Sequence, residues 1–440
     1  MFANLKNVLK IPDLRNKVLF TLGMVALYRL GANIPVPGID LGQVAQLQEQ
    51  AQTQGAIGFL NLFSGGALSS FAVFALGIMP YITASIIMQV LGVAIPKLQE
   101  WQDQGAVGQR KITQWTRYLA LAIATLQATG LTFIFGRGYG GSLLGQNGPN
   151  VQLLPDGTSN WRYLMIIMTL VGGTAILMWI GELITQRGIG NGMSILIFSS
   201  VVSRLPYAYY AVLQQKELIF FLFLVAISLL VLVAIIYVEL GQRRIPVQFA
   251  KRVVGRRMYG GQSTYIPLKV NQSGVIPIIF ASSLLLLPVL ITNLLGNSTE
   301  GWRRSLTQFI NKWVVNQTNP VHLLIYGAMI VGFAYFYNAI AFDPARQADQ
   351  LRKQGGFIPG IRPGPQTERY LSKTLNRLTL PGAVFLAIIA LLPSIVLALG
   401  NVQSFPFGGT SVLIAVGVAL ETMKQIDSQL MLRNYEGFLK

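Results

Sequence analysis

The sequence predicts an all-α integral membrane protein with ten transmembrane helices. Of its 440 residues, 52% are hydrophobic and only 11% are charged, whereas a soluble domain is about 25% charged. Ten mostly apolar runs approach the roughly 20 residues that a helix needs to cross a bilayer. The basic residues are concentrated in every second connection between these runs. Together these observations place most of the chain in lipid.

The ten runs follow from hydrophobic length along the sequence. They occupy residues 18–35, 72–95, 116–136, 162–184, 193–213, 218–240, 274–295, 321–342, 380–400 and 410–429. The last run is interrupted early, because the apolar stretch that ends at Leu420 is followed by Glu421, Lys424 and Asp427. We therefore expect the tenth helix to lie inside the bundle with a polar cytosolic end.

The connections that hold the basic residues indicate the cytoplasmic side, because Lys and Arg are retained there during membrane insertion. Of the 34 Lys and Arg residues, 26 lie near the two termini or in the connections after runs 2, 4, 6 and 8. The connections 241–272 and 343–379 carry seven each. Both termini are therefore predicted to be cytoplasmic. The net charge of +18 favours anionic lipid, acidic protein or RNA as a neighbour.

Several classes of chemistry are excluded by residues that the sequence lacks. It has no Cys and one His, so no disulfide, thiolate nucleophile, Cys-ligated metal or multi-histidine site is expected. No Lys follows a Gly, which excludes a phosphate-binding Walker loop. An ion-coupled transporter normally carries an acidic residue or His near mid-membrane, and no run places one there. We expect no catalytic residue, metal or cofactor, and energy must come from a partner.

Two features place polar groups at membrane depth. The second apolar region is interrupted by Asn61, Ser64, Gly65, Gly66, Ser69, Ser70 and Pro80. Such a segment either enters from the outside and restarts as a true span, which requires a protein cavity around its backbone, or is an outer loop before a Pro-kinked helix. Arg29 lies within the first run and either snorkels outward or pairs inside the bundle. Composition does not decide between these alternatives.

Several long motifs follow one another in a fixed order. They occupy residues 15–40, 63–89, 181–194 (GELITQRGIGNGMS), 241–252, 265–283, 355–371 (GGFIPGIRPGPQTERYL) and 407–440. Over these motifs the chain resembles the SecY family, the channel-forming subunit of the general protein translocase. The resemblance implies two pseudo-symmetric halves of five helices around a central pore, here residues 1–213 and 214–440. It also implies a re-entrant plug at about residues 57–70, which includes Asn61, Phe63, Ser64, Gly65 and Gly66.

The resemblance further implies a ring of apolar side chains at the narrowest point of the pore. The matching positions are Ile78, Ile82, Met193, Ile197, Ile279 and Ile414. Such a ring offers an ion no replacement for its hydration shell, yet it can conform around a passing peptide. Ile78 and Ile82 share one face of the predicted helix, a pattern that ordinary packing also produces. Met193 stands where the family often has Ile, and its flexible side chain is expected to keep the apolar contact with a looser seal.

A lateral gate and a docking surface are also implied by the resemblance. The gate lies between spans 2–3 and 7–8, with Gln89 and Asn271 as an amide pair that holds it closed. Arg256, Arg257 and Arg362 match arginines with which the family docks the SecA motor ATPase or the ribosome. Gly and Pro residues around Arg362 predict a stiff, turn-rich tip that presents apolar residues around this arginine. The alternative is that these basic residues serve topology alone.

The implied function is a passive protein-conducting channel of the general secretory pathway, which also releases hydrophobic segments laterally into the bilayer. Expected partners are SecE-like and SecG-like membrane subunits, the SecA motor, the ribosome, signal peptides, preproteins and anionic lipids. The expected location is the bacterial plasma membrane, with the thylakoid membrane as the alternative. The competing classes are a solute transporter, disfavoured by the missing mid-membrane acids, and an intramembrane protease, which needs a Ser-His or Asp-Asp pair that the spans lack.

Overall fold

The computed structural model describes residues 11–44, 61, 64–136, 153–154, 159–203, 205–215, 218–249, 252–254, 257–259, 263–295, 305, 309–310, 313, 319–400 and 409–438. The helices before residue 216 are α1 (Pro12–Asn33), α2 (Met79–Ala94), α3 (Pro96–Asp103), α4 (Ala106–Gly136), α5 (Asn160–Arg187), α6 (Gly192–Val202) and α7 (Leu205–Gln215). Those after it are α8 (Leu218–Leu240), α9 (Ile276–Leu295), α10 (Pro320–Ala341), α11 (Pro344–Lys353), α12 (Pro365–Gly400) and α13 (Gly409–Phe438). Every predicted apolar run overlaps one of these helices.

The helices differ in how well their own length and composition suit them to a membrane. Within the described residues, five segments are long and apolar enough to cross alone: α4, α5, α8, α12 up to Leu392, and Pro320–Lys353, which joins α10 to α11. Helices α2 and α3 would together make a sixth span, but they are bent by 101° at the break between them. The fifth predicted run is likewise divided into α6 and α7. The predicted boundary between the halves, at 213 and 214, falls in the last turn of α7.

Caps and prolines set several helix starts. The side chain of Asn191 accepts a hydrogen bond from the backbone nitrogen of Met193 at 3.1 Å, which satisfies a free donor in the first turn of α6. Pro96 occupies the first turn of α3, and because a residue before proline avoids helical geometry, Ile95 is extended and α2 ends there. The cap fixes where α6 starts and therefore which of its side chains face the bundle centre.

Residues 64–78 form a chain of turns instead of a membrane helix. Gly65 and Gly66 have φ angles of +64° and +99°, in the left-handed region that glycine adopts without steric cost. The segment is held to the end of α1 by the Val36 nitrogen on the Phe71 oxygen, at 3.0 Å, and the Val73 nitrogen on the Ile34 oxygen, at 2.9 Å. Much of it is buried within the bundle. This agrees with a re-entrant segment and not with an exposed outer loop.

A small sheet, which the all-α prediction did not include, joins the two long basic connections. Strand β1 (Gln242–Phe249) pairs antiparallel with β4 (Ser263–Lys269) on one side and with β5 (Gly356–Phe357) on the other. Strands β2 (Arg252–Val254) and β3 (Arg257–Tyr259) form a separate hairpin. Ile245 and Val247 alternate with exposed residues along β1, the period of a half-buried strand. They pack against the start of α12.

The predicted display of apolar residues around Arg362 is wrong. Ile358 is buried and Ile361 is partly buried, and both pack into the cluster beneath the sheet, with Val247 and Leu371. These side chains are buried and not presented on the surface, because removing apolar area from water stabilises the fold. The tip is nevertheless turn-rich, since Gly355, Gly360 and Gly364 all have positive φ angles. Arg362 itself is exposed.

Candidate functional site

All six predicted ring residues belong to one large apolar cluster. Ile78, Met193, Ile197, Ile279 and Ile414 are among its buried members, and Ile82, which is partly buried, packs against it. Ile78 caps α2 and Ile82 lies in its first turn. Met193 and Ile197 lie four residues apart on α6, Ile279 lies on α9 and Ile414 on α13. Four helices from distant parts of the sequence therefore converge on this cluster, which we call the ring cluster.

The ring cluster combines residues from both predicted halves. Among the four apolar clusters of the described residues, one is built from the first half alone, one from α8 to α13, and one beneath the sheet. The ring cluster instead joins α1, α2, α4, α5 and α6 to residues of α9 and α13. The two halves are therefore in apolar contact here, and such contact is non-directional and can re-form after separation.

The predicted plug residues that the structure describes make a compact, hydrogen-bonded turn. The Gly66 nitrogen donates to the Asn61 oxygen at 3.0 Å, and the Ser69 nitrogen donates to Asn61 Oδ1 at 3.1 Å. Ser64 Oγ accepts from the Leu68 nitrogen at 3.1 Å. Asn61 and Ser64 are almost completely buried. Phe63, also assigned to the plug, lies outside the described residues.

The predicted amide pair between Gln89 and Asn271 is not present. Asn271 is buried, and its Nδ2 donates to Glu239 Oε1 at 2.6 Å and to the Gly274 oxygen at 3.3 Å, whereas Gln89 is exposed. A carboxylate is a stronger acceptor than an amide oxygen, and Glu239 lies at the end of the preceding helix, α8. The polar contact of Asn271 therefore lies at the junction of α8 and α9 and not across the predicted gate.

The three predicted docking arginines are described to different extents. Arg362 is exposed on the turn-rich tip, where its carbonyl accepts from Thr367 Oγ1 at 3.0 Å. Arg257 begins β3, where its backbone is paired with Val254, and Arg256 lies outside the described residues. On β1, the Arg244 guanidinium lies 4.9 Å from the centre of the Tyr265 ring. The three-stranded sheet joins the two basic connections into one unit, on which Arg243, Arg244 and Arg362 are exposed.

Comparison with known proteins decides the family. A family model described as SecY matches residues 72–423. A protein translocase subunit SecY of Streptomyces coelicolor is 51% identical over 446 residues, and the match covers 100% of both chains. The chain belongs to the SecY family.

Solved structures agree with this membership. One described as the structure of a protein conducting channel is 20% identical, with a TM-score of 0.62 over 94% of this chain and 91% of that chain. Sec61 in the canine ribosome-channel complex from the endoplasmic reticulum is 18% identical, with a TM-score of 0.59 and the same coverage. Both likenesses confirm the predicted SecY fold.

Membership of the SecY family assigns a function in protein transport. The full-length match to translocase subunits makes this chain the channel subunit of a Sec protein translocase. It is a multi-pass membrane protein, as its apolar helices require. The cluster that contains the six predicted ring residues is also the described apolar cluster in which the two halves meet.

Several polar residues near this SecY-type pore were missed by sequence reasoning or left without a role. Arg29 does not snorkel outward, because its guanidinium reaches the plug segment and α6. Tyr28, Ser200 and Ser203 share these contacts, and Glu239 holds Asn271. Arg29 gave a signal, since an arginine in a membrane helix is costly unless it is used. The serines gave none, because serine on an apolar helix is usually bonded to its own backbone.

Proposed function

We propose that the six ring residues form the constriction through which unfolded polypeptides pass. The observation that carries this proposal is the ring cluster, in which α2 and α6 of one half meet α9 and α13 of the other. An ion that enters it loses hydration and gains no polar partner, which costs many kcal/mol. A polypeptide can be accommodated because the contacts are apolar and deformable. The same device therefore seals the resting pore and lets a substrate through.

The turn segment from Asn61 to Ser70 is proposed to be the plug on the outer side of this constriction. Its support is its burial and its internal hydrogen bonds, which make it a compact body that can move without unravelling. Its connection to the pore wall is also short, because residues 71–78 lead directly from it to ring residue Ile78. Widening the ring is therefore expected to disturb the plug.

A lateral gate between α2 and α4 on one side and α9 and α10 on the other is proposed as the exit for signal sequences and membrane segments. Support comes from the cluster that both sides of the gate share, since Ile279 of α9 belongs to it and Ile82 of α2 packs against it. The Cys-free chain allows this to be tested. Cysteines introduced at facing positions of α2 and α9 should cross-link and stop release of hydrophobic segments into lipid. Continued release from the locked channel would contradict the gate.

Partners are proposed from exposed surfaces. The exposed basic unit around Arg362 suits the SecA motor or a ribosome, which would supply the energy, so that this chain needs no catalytic site.

Helix α8 exposes Leu229, Leu230, Val233 and Tyr237, a surface for lipid or for SecE-like and SecG-like helices. A groove between Tyr335 of α10 and the side of α12 is lined by three basic residues, one acidic residue and Leu380; the charged residues are Arg369, Lys373, Arg377 and Glu368. It suits the head group and chain of an anionic lipid. The bacterial plasma membrane, with both termini cytoplasmic, is the proposed location.

Reconstitution tests the function directly. The purified chain, with a SecE-like subunit and SecA in vesicles of anionic and neutral lipid, should import an unfolded preprotein when ATP is added. Vesicles that lack the chain, and vesicles with a preprotein whose signal sequence is deleted, serve as controls. Import of small solutes at a saturable rate, without preprotein import, would favour a transporter instead.

A further inference from the structure

Arg29 and Tyr28 lie side by side on α1 and both reach the plug segment. Arg29 Nη1 donates to the Gly65 carbonyl at 3.1 Å. The hydroxyl of Tyr28 donates to the Ser64 carbonyl at 3.0 Å. Neighbouring carbonyls at the tip of the plug thus receive hydrogen bonds from neighbouring side chains on one helix.

The same two side chains also bind α6. Arg29 Nη2 donates to the carbonyl of Ser199 and to the hydroxyl of Ser203. The Tyr28 hydroxyl lies 2.6 Å from Ser200 Oγ. Tyr28 is completely buried, and its ring stacks on Phe74 with centroids 6.0 Å apart. Each side chain therefore bridges the plug and α6 at one point.

The plug backbone is shaped to present these carbonyls. Gly65 has a φ angle of +64°, and a Cβ atom there would lie 3.0 Å from both Arg29 Nη1 and the Tyr28 hydroxyl, and 3.2 Å from Ser200 Cα. Only glycine fits this conformation and this space without strain. Because buried carbonyls without partners are costly in a membrane, the donors are expected to hold the plug in one position.

The contacts lie close to the ring. Ring residue Ile197 is three residues before Ser200 on α6, which at 1.5 Å per residue places the two about 4.5 Å apart along the helix axis. A shift of α6 that widens the ring would therefore also move Ser199, Ser200 and Ser203 away from Arg29 and Tyr28. Ring opening and loss of these hydrogen bonds are expected to occur together.

We infer that Tyr28 and Arg29 form a polar latch that holds the plug against α6 in the closed channel and releases it when the ring widens. This inference rests on the proposed plug and assigns the residues that position it. Arg29 is the main positioning residue, because charge-assisted hydrogen bonds are the stronger ones. Its place in a membrane-spanning helix is then explained, since an intramembrane charge persists where it has a function.

The test places a reporter in the plug of the otherwise Cys-free chain. Ala67 is completely buried, so Ala67→Cys should react slowly with a membrane-impermeant maleimide added from the outer side. In Arg29→Gln the reaction rate should rise at least about tenfold, which corresponds to about 1.4 kcal/mol of lost plug stabilisation. Tyr28→Phe keeps the ring and loses the hydroxyl, and it should raise the rate about fivefold. Arg29→Lys, which keeps the charge and loses the planar fork, should fall between Arg29→Gln and the parent.

Two controls separate latch release from general loosening. Arg15→Gln removes an exposed arginine from the same helix and should leave the Ala67→Cys rate unchanged. Ala124→Cys, a reporter at an equally buried alanine on α4, should stay unreactive in Arg29→Gln. If both reporters became reactive together in Arg29→Gln, the arginine would serve overall stability and the latch would be rejected.

The plug and the latch can fail separately in this experiment. If Ala67→Cys stays unreactive in the parent even while a preprotein occupies the channel, residues 61–70 do not move and the plug assignment is wrong. If Ala67→Cys becomes reactive with a preprotein in the channel but Arg29→Gln leaves its resting rate unchanged, the plug stands and the latch is wrong.

Discussion

The ring cluster and the plug latch lie next to each other on α6 and are built from opposite chemistry. The ring joins the two halves through apolar side chains, while the plug adds directional hydrogen bonds from Tyr28 and Arg29 to the apolar packing of Ala67 and Leu68. Apolar contacts weaken gradually as surfaces separate, whereas hydrogen bonds weaken steeply once distance and angle are lost. A seal that must re-form around a polypeptide of changing width needs apolar contacts. A plug with one resting position needs hydrogen bonds.

This difference suggests a division of labour. The ring should set how well the channel excludes ions at every moment, and the latch should set how often the plug leaves. Changes to the ring are therefore expected to alter the size of a leak, and changes to the latch its frequency. The following predictions are ordered by their expected effect on resting ion leak.

The largest leak is expected from ring residues replaced by glycine. Ile279→Gly removes about 0.8 kcal/mol of apolar contact per methylene and opens room for water at the constriction. Ile278 is the matched control, because it is the next residue on α9 and equally buried, but it packs into the cluster of α8 to α13. Ion flux from vesicles should rise steadily with Ile279→Gly and stay at the parent level with Ile278→Gly, even if both lower stability. Equal fluxes would contradict the ring.

A smaller and intermittent leak is expected from Arg29→Gln. The ring remains intact in this variant, so ions pass only when thermal opening of the ring coincides with an absent plug. We expect an ion flux above the parent and well below that of Ile279→Gly, measured in the same vesicles. A flux as large as that of the ring variant would mean that the plug, and not the ring, carries the resting seal.

Asn271 should affect stability and not the leak. Asn271→Leu leaves the partly buried Glu239 carboxylate without its amide donor, and a fully buried polar group without a partner costs about 1–3 kcal/mol. Thermal unfolding should shift to lower temperature, while Gln89→Leu, at the exposed amide once expected to pair with Asn271, should shift it little. Increased ion flux with Asn271→Leu would contradict this and would support a role for Asn271 in the gate.

No resting leak is expected from a change at the docking surface. Arg362→Glu should weaken SecA binding by about tenfold or more, since each lost charge-assisted contact costs about 1.5–3 kcal/mol, and should block motor-driven import. Joint reversal of Arg256 and Arg257 should act in the same way. Lys353→Glu reverses a nearby exposed cation on α11 and serves as the control. Normal SecA affinity and normal preprotein-stimulated ATPase activity in Arg362→Glu would remove the docking role.

The fold was largely predictable because each membrane helix requires a long run of apolar residues, which can be seen directly in the sequence. The sheet was not predicted, because the alternation around Ile245 and Val247 is short and lies within a strongly basic connection. The division into α6 and α7 was not predicted, because the run was judged by its length and the signal of Ser203, Arg204 and Pro206 within it was not used. The long helix α8 was the easiest element to predict, because it has the highest mean hydropathy of the described spans and Ser228 is the one polar side chain before its last turns.

The site was less predictable than the fold. The ring residues come from four helices far apart in the sequence, and only the family resemblance brought them together before the structure did. Asn271 was paired wrongly, because the competing carboxylate of Glu239 lies on the preceding helix and its reach depends on packing. The latch was missed because its acceptors on the plug are backbone carbonyls, which carry no residue-specific signal. Arg29 alone was visible as an unexplained charge.

Single-channel recording in a planar bilayer tests the division between ring and latch most directly. The variant with Ile82, Ile197, Ile279 and Ile414 all replaced by glycine should show a steady open level, because no other residues can close the narrowest point. Deletion of residues 57–70, or Arg29→Gln, should give brief openings separated by closed periods. A folded ring variant as silent as the parent, or a latch variant that stays open continuously, would contradict the account.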